Sequence, residues 1–366
     1  MNRPRGHLVV ISTVCLLVFV GAVNLYSALF VWGGGGRASL IWQHGIWIGV
    51  GSVLCALLMR YDYRRLQRSS GVWHGVVVGL LVLVLLVGRT IGGNKSWLAI
   101  GGFGIQPSEF AKLTTIMMLA AYGAERVVPH GYGLRELWRP LCWLGVPTGL
   151  IALQHDAGTT LCMGLLSGSL LLFARVRRYL VLTCLGLSLL GAGIAYRTML
   201  GPAQRARIET FLHPESDPRG RGYHLIQSKV AVGSGGWFGR GFRQGQVNKL
   251  RFLPEKHTDF VFPVLAEEWG FLGALCVLGL YFVLLLAGLQ TARTARDRFG
   301  ALLAVGIVCW LFWQIAINIG GVLGLIPLTG IALPFLSYGG SSTLMTFVAM
   351  GLLLSVYRRR FLFPES

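Results

Sequence analysis

Apolar residues along this chain come in long runs, and the polar residues collect between the runs instead of alternating with them. Ten such runs fall near 8–32, 40–59, 71–88, 108–124, 140–154, 158–174, 179–196, 264–290, 300–322 and 341–357. A hydrocarbon core about 30 Å thick takes about 20 helical residues to cross. The pattern therefore predicts an all-α polytopic membrane protein of about ten transmembrane helices. It forms a single integral domain over 1–366, with one large extracytoplasmic loop, 197–259, between the seventh and eighth spans. The first run follows MNRPRGH as a signal peptide would. It is longer than the roughly 7–15 residues of a typical signal core and lacks a small-residue cleavage site, so it reads as an uncleaved anchor.

The polar segments divide by charge. The N-terminus, the even-numbered connections and the C-terminus carry Arg3, Arg5, Arg60, Arg64, Arg65, Arg68, Arg126, Arg135, Arg139, Arg175, Arg177, Arg178, Arg293, Arg296, Arg298, Arg358, Arg359 and Arg360. The short connections on the other side carry only Arg37, Arg89 and Lys95. Short loops rich in Lys and Arg stay in the cytoplasm, which predicts that both termini are cytoplasmic.

Composition sharpens this picture. Charged residues make up 13% of the chain, against about 25% in soluble domains, and 33 Lys+Arg face 14 Asp+Glu for a net charge of +19. Such sparse charge excludes an ordinary soluble enzyme and a nucleic-acid-binding domain, whose basic residues decorate a soluble core. All seven cysteines lie inside apolar runs with no C-x-x-C pair, so neither a disulfide framework nor a zinc site is implied. The outer loop 197–259 holds eleven basic residues and five acidic ones. Long loops translocate whatever their charge, and a basic surface just above the membrane suits a lipid-borne phosphate or an anionic headgroup.

Special residues crowd into four clusters on the outer side. In GGNKSWLAIGGFGIQPSEFAKL, Pro107 opens a helix with Glu109 in its first turn, and Glu109 and Lys112 share a face as an internal pair or a substrate contact. Trp97 there reads as an interfacial anchor. In LQHDAGTT, Asp156 is placed to cap the following helix. From Gly220 to Gly270, glycines at 233, 235, 236, 239, 241 and 245 interleave with Arg240, Arg243, Lys249, Arg251 and Lys256, an arrangement whose exposed backbone N–H groups would cradle phosphate. PEKHTDF then brings Asp259 to the point of membrane re-entry, as a helix cap or a general base, with His257 beside it as a relay or a structural histidine. The last cluster, NIGGVLGLIPLTGIALPFLSYGGSS, interrupts an apolar run with prolines and glycines and predicts irregular backbone covered by protein.

The strings QPSEFAKL, GSGGWFGRGF, FLPEKHTDFVFPVLAEE and LPFLSYGGSS, in this order across nearly the whole chain, resemble the SEDS family of shape, elongation, division and sporulation proteins. The compact length and short tails are closer to its RodA branch than to its FtsW branch. The resemblance implies a peptidoglycan glycosyltransferase that polymerises lipid II at the outer face of the bacterial cytoplasmic (inner) membrane. It also implies a class B penicillin-binding protein and other elongation-complex membrane proteins as partners. The family's essential aspartate falls on Asp259, its outer-loop tryptophan on Trp97, its glutamate and lysine on Glu109 and Lys112, and its Gln-Pro-Asp aspartate on Asp156. Ser337 opens the SYGGSS string as a further substrate-binding candidate. The chain departs from the family pattern at Ser96-Trp97, where Arg-Trp is usual and Lys95 offers a cation one residue earlier. It departs again at Gln154-His155-Asp156, where the family has proline in the middle.

This reading expects an inverting transfer with no certain cofactor and a divalent cation left open. Asp259 accepts the proton of the acceptor 4-hydroxyl, and Lys95, Arg243, Lys249, Arg251 and Lys256 stabilise the departing diphosphate. A lipid II flippase and a non-catalytic scaffold for a wall synthase are the alternatives.

Overall fold

The computed structural model describes residues 6–29, 38–91, 94–100, 103–126, 131–173, 176–177, 179–180, 183, 186, 205, 209–217, 220–246 and 258–360. Nine long helices match nine of the ten apolar runs: α1 (Gly6–Leu29), α2 (Ala38–Arg60), α3 (Tyr63–Val87), α4 (Pro107–Glu125), α5 (Leu134–Leu153) and α6 (Ala157–Phe173), then α8 (Val261–Arg293), α9 (Arg298–Val322) and α10 (Gly340–Arg359). The seventh run, 179–196, lies almost wholly outside the described residues. Six of these helices are long and apolar enough to cross a membrane. Helix α3 starts eight residues before its apolar run because Asp62 caps it, accepting from the Arg64 amide at 3.1 Å. A short helix, α7 (Arg221–Ser234), belongs to the large outer loop and packs against α8.

The sequence pattern did not anticipate a small antiparallel sheet between α3 and α4, built from β1 (Arg89–Ile91), β2 (Asn94–Ile100) and β3 (Phe103–Ile105) in the order β1-β2-β3. The Gly-Gly pairs at 92–93 and 101–102, set between short runs, are the signal for it.

Charge sorts the two ends of the bundle. At one end Arg64 pairs with Asp297 at 3.1 Å, Arg359 with Asp62 at 3.4 Å, and Ser355 donates to the Tyr61 carbonyl. The arginine-rich connections α2–α3 and α8–α9 and the end of α10 are thereby tied together. At the opposite end lie the sheet, Asp156, Asp259 and the segment 323–339 between α9 and α10.

Helix α8 is broken at Gly270, whose φ of 69° and ψ of −168° are open to glycine alone. In an unbroken helix the Phe271 and Leu272 amides would donate to the carbonyls of Glu267 and Glu268. Here all four groups turn to the Gly236–Gly241 turn that follows α7. Phe271 donates to the Gly236 carbonyl at 2.8 Å and Leu272 to Trp237 at 3.2 Å, while Glu267 and Glu268 accept from the Arg240 and Gly241 amides at 3.0 Å each. The outer loop is spliced into the helix ladder. A β-carbon at Gly270 would lie 2.2 Å from the Gly239 nitrogen, so Gly270→Ala must displace the turn as well as strain the backbone. We expect it to cost at least about 1–3 kcal/mol, read as a lowered midpoint of thermal unfolding in detergent.

Candidate active site

Asp259 stands just before the first turn of α8, half-buried, with Phe260 as the first residue at the helix boundary. Its Oδ2 faces Gly330, where an added β-carbon would lie 3.4 Å away, and its backbone carbonyl accepts from Asn318 Nδ2 at 3.2 Å. Gly330 has a φ of 76°. The carboxylate therefore lies against bare backbone of the 323–339 segment. That face excludes bulk and leaves the acid facing main chain.

The 323–339 segment is non-helical over most of its length, yet its carbonyls are served by side chains from the surrounding helices. Asn318 Nδ2 donates to Ile331 O at 2.7 Å, Gln314 Nε2 to Ala332 O at 3.0 Å, and the Tyr281 hydroxyl to Pro334 O. Irregular backbone within a membrane protein survives only when it is covered and satisfied in this way, as the sequence predicted for this stretch. Asn318 and Gln314 are buried one helical turn apart on α9, and the sequence reading gave them no role. Their signal was present: two amides at helical spacing inside an apolar run mark an interhelical contact. Asn318→Leu strands the Ile331 carbonyl and should cost about 1–3 kcal/mol, measured as the shift in thermal unfolding against Asn318→Gln.

The other outer clusters meet at the same end. Asp156 caps α6, accepting from the Thr159 amide at 3.1 Å and hydroxyl at 2.8 Å, and it also accepts from Gln106 Nε2 at 3.0 Å. The Gln106 amide in turn donates to Ser341 Oγ at 3.0 Å. A β-carbon at Gly158 on α6 would sit 2.5 Å from Thr329 O, which places α6 directly on the segment that faces Asp259. His155, at the position where the family has proline, has a φ of 63°. Proline is locked near −65°, so that departure changes the local turn as well as its stiffness.

The remaining candidates differ in how their side chains are engaged. Lys95 Nζ donates to the Leu85 and Leu86 carbonyls at 2.8 and 3.2 Å and so closes the end of α3. Glu109 and Lys112 form an ion pair at 2.7 Å with side chains 8% and 1% exposed, and the ammonium lies 5.2 Å from the Trp310 ring centre. That pair is internal. Ser337 is buried, and its hydroxyl accepts from the Leu333 amide at 2.9 Å, so it holds a turn. Trp97 lies on β2 against Gly104 of β3. Arg243 is half-buried in the turn after the splice, with a φ of 61°. Lys249, Arg251, Lys256 and His257 lie outside the described residues.

The glycine-rich turn also corrects an expectation. Its Gly239, Arg240, Gly241 and Gln246 amides donate to Gly235 O, Glu267 O, Glu268 O and Glu267 Oε1. The backbone approaches α8 closely, as its glycines permit, and these N–H groups are not left to cradle a phosphate.

The sequence profile of a family described as "Cell cycle protein", covering FtsW, RodA and SpoVE, matches residues 7–361. The chain belongs to this SEDS family. Among its relatives, the peptidoglycan glycosyltransferase MrdB of Escherichia coli K12 is 35% identical over 361 residues, covering 96% of this chain and 95% of MrdB. Stage V sporulation protein E of Bacillus subtilis is 37% identical, covering 98% of both chains. In three dimensions the SEDS chain superposes on a chain from a peptidoglycan synthase complex that coordinates polymerization and crosslinking. The TM-score is 0.80 at 31% identity, over 96% of this chain and 97% of the other. Apolar helices and family together make this a multi-pass membrane protein.

Proposed function

We propose that this SEDS peptidoglycan glycosyltransferase polymerises lipid II at the outer face of the bacterial cytoplasmic membrane, with Asp259 as general base, in the service of cell elongation. One observation carries the reading. Asp259, the side-chain-braced 323–339 segment, the Asp156 cap and the sheet gather at one end of the bundle, and the arginine-rich connections gather at the other. Arginine-rich short loops face the cytoplasm. That assignment puts both termini inside and the acid outside, where lipid-linked disaccharides are joined.

In the proposed step, the acceptor 4-hydroxyl attacks the donor anomeric carbon from the face opposite the diphosphate. The oxygen–carbon bond forms, the carbon–diphosphate bond breaks with inversion, and the hydroxyl proton passes to Asp259. Undecaprenyl diphosphate leaves with the bonding pair. A diphosphate needs neutralisation more than protonation, so one carboxylate is sufficient and cations complete the site. Arg243 is the described candidate; Lys249, Arg251, Lys256 and His257 lie on the chain leading into Asp259. The structural neighbour that couples polymerization to crosslinking supports a penicillin-binding protein as partner.

The test is the purified chain with labelled lipid II, with and without a cognate class B penicillin-binding protein. Glycan strands support the proposal. Movement of lipid II between leaflets without strands indicates a flippase, neither outcome indicates a scaffold, and both overturn it.

A further inference from the structure

The break in α8 leaves a short upper helix, 261–269, between Asp259 and the splice. Its first eight residues, Val261 to Glu268, are all buried. What fixes its direction is therefore decisive for where the base points. Backbone bonds to the glycine turn supply part of the answer, but those same groups have an alternative. If the turn withdrew, the Phe271 and Leu272 amides would be free to close on the Glu267 and Glu268 carbonyls. A second contact is needed to hold the turn in the gap.

Glu267 makes that contact with its side chain. The carboxylate is 1% exposed, and its Oε1 accepts from the Gln246 amide at 2.7 Å and lies 3.9 Å from Arg240 Nε. A β-carbon at Gly245 would fall 2.7 Å from Oε2, so the far end of the turn is wrapped closely on the acid. A buried carboxylate with a charged neighbour and a backbone donor makes bonds stronger than neutral ones. The neighbouring Glu268 points elsewhere, accepting from Ser27 of α1 at 2.6 and 2.7 Å. One acid holds the turn and the other ties the helix to α1.

We propose that Glu267 is a positioning residue for the glycosyl transfer: its carboxylate grips Gly245 and Gln246, just beyond the Gly236–Gly241 turn, and so holds that turn in the break of α8 and fixes the direction of the short helix that follows Asp259. The proposal rests on the reading of Asp259 as base. Glu267 touches no substrate in this scheme. It acts on turnover through geometry, and displacement of a reacting group by about 1 Å lowers rate by about 10²-fold.

The experiment uses the full chain in detergent and reads two quantities: amide hydrogen exchange across 239–246, and kcat and KM for lipid II. Glu267→Ala should speed exchange of the Arg240, Gly241 and Gln246 amides about tenfold or more, and lower kcat about tenfold or more with KM within about twofold. Glu267→Gln keeps an acceptor oxygen and should restore both. Gly245→Ala pushes the turn off the carboxylate without emptying a buried site, and should reproduce the Glu267→Ala result if that variant fails to fold. Unchanged exchange, or faster exchange with unchanged kcat, overturns the positioning role. So does a loss confined to KM, or a Glu267→Gln variant as impaired as Glu267→Ala. A wild-type chain that makes no glycan strands overturns the function reading instead, whatever the turn does.

Discussion

Asp259→Asn should reduce glycan strand formation from purified lipid II by about 10²–10⁴-fold, the span that a positioned general base contributes. Asparagine preserves the size of the side chain, its approach to Gly330 and the backbone carbonyl that accepts from Asn318. It removes only the ability to take up a proton. Yield, detergent behaviour and thermal midpoint should therefore stay near wild type, and the loss should appear in kcat. If the variant polymerises within about twofold of wild type, the base is another group.

The second large effect lies in the core. Lys112 is 1% exposed on its side chain and has Glu109 at 2.7 Å. Replacing Lys112 with alanine leaves a carboxylate buried in the bundle without its cation. Breaking such a pair from one side costs about 3–5 kcal/mol. The expected result is a protein that reaches the membrane poorly, or whose thermal midpoint in detergent falls by many degrees. Glu109→Ala should do the same from the other side. Removing both charges with shape retained, as in Glu109→Gln with Lys112→Met, should recover most of the loss, because a buried pair and a well-packed neutral substitute differ little in stability. Full polymerisation by that double variant would also establish that neither charge meets the substrate. A single variant as stable as wild type would contradict the internal placement of the pair.

Much of the fold was legible because a bilayer imposes length and polarity on each span, and those quantities are visible residue by residue. Nine of the ten apolar runs correspond to helices. The separation of arginines from special residues translated directly into two chemically distinct ends. The sheet at 89–105 was harder to see, since strands of three residues such as β1 and β3 carry no periodic signal. The glycine turn was misread for a deeper reason. A run of glycines announces that backbone will come close to something, and an N–H group donates equally well to a phosphate or to a carbonyl. Only the break at Gly270, about thirty residues further on, reveals that the something is α8. Lys95 and Ser337 carry a similar lesson: residue type showed their hydrogen-bonding capacity, but not that it engages the Leu85 and Leu86 carbonyls of α3 and the Leu333 amide. Glu267 was visible as an acid in an apolar run, which is a functional signal in its own right, but its partner at Gln246 was not.

The account depends on which side of the membrane holds the acid. A chain with its seven native cysteines replaced by alanine, carrying Thr258→Cys beside Asp259, tests this in intact spheroplasts with a membrane-impermeant maleimide. Arg296→Cys, on the exposed connection between α8 and α9, serves as the opposite-face control. Cysteine at 258 should label in intact spheroplasts and cysteine at 296 only after permeabilisation. The reverse pattern would put Asp259 on the cytoplasmic face, away from the chemistry assigned to it.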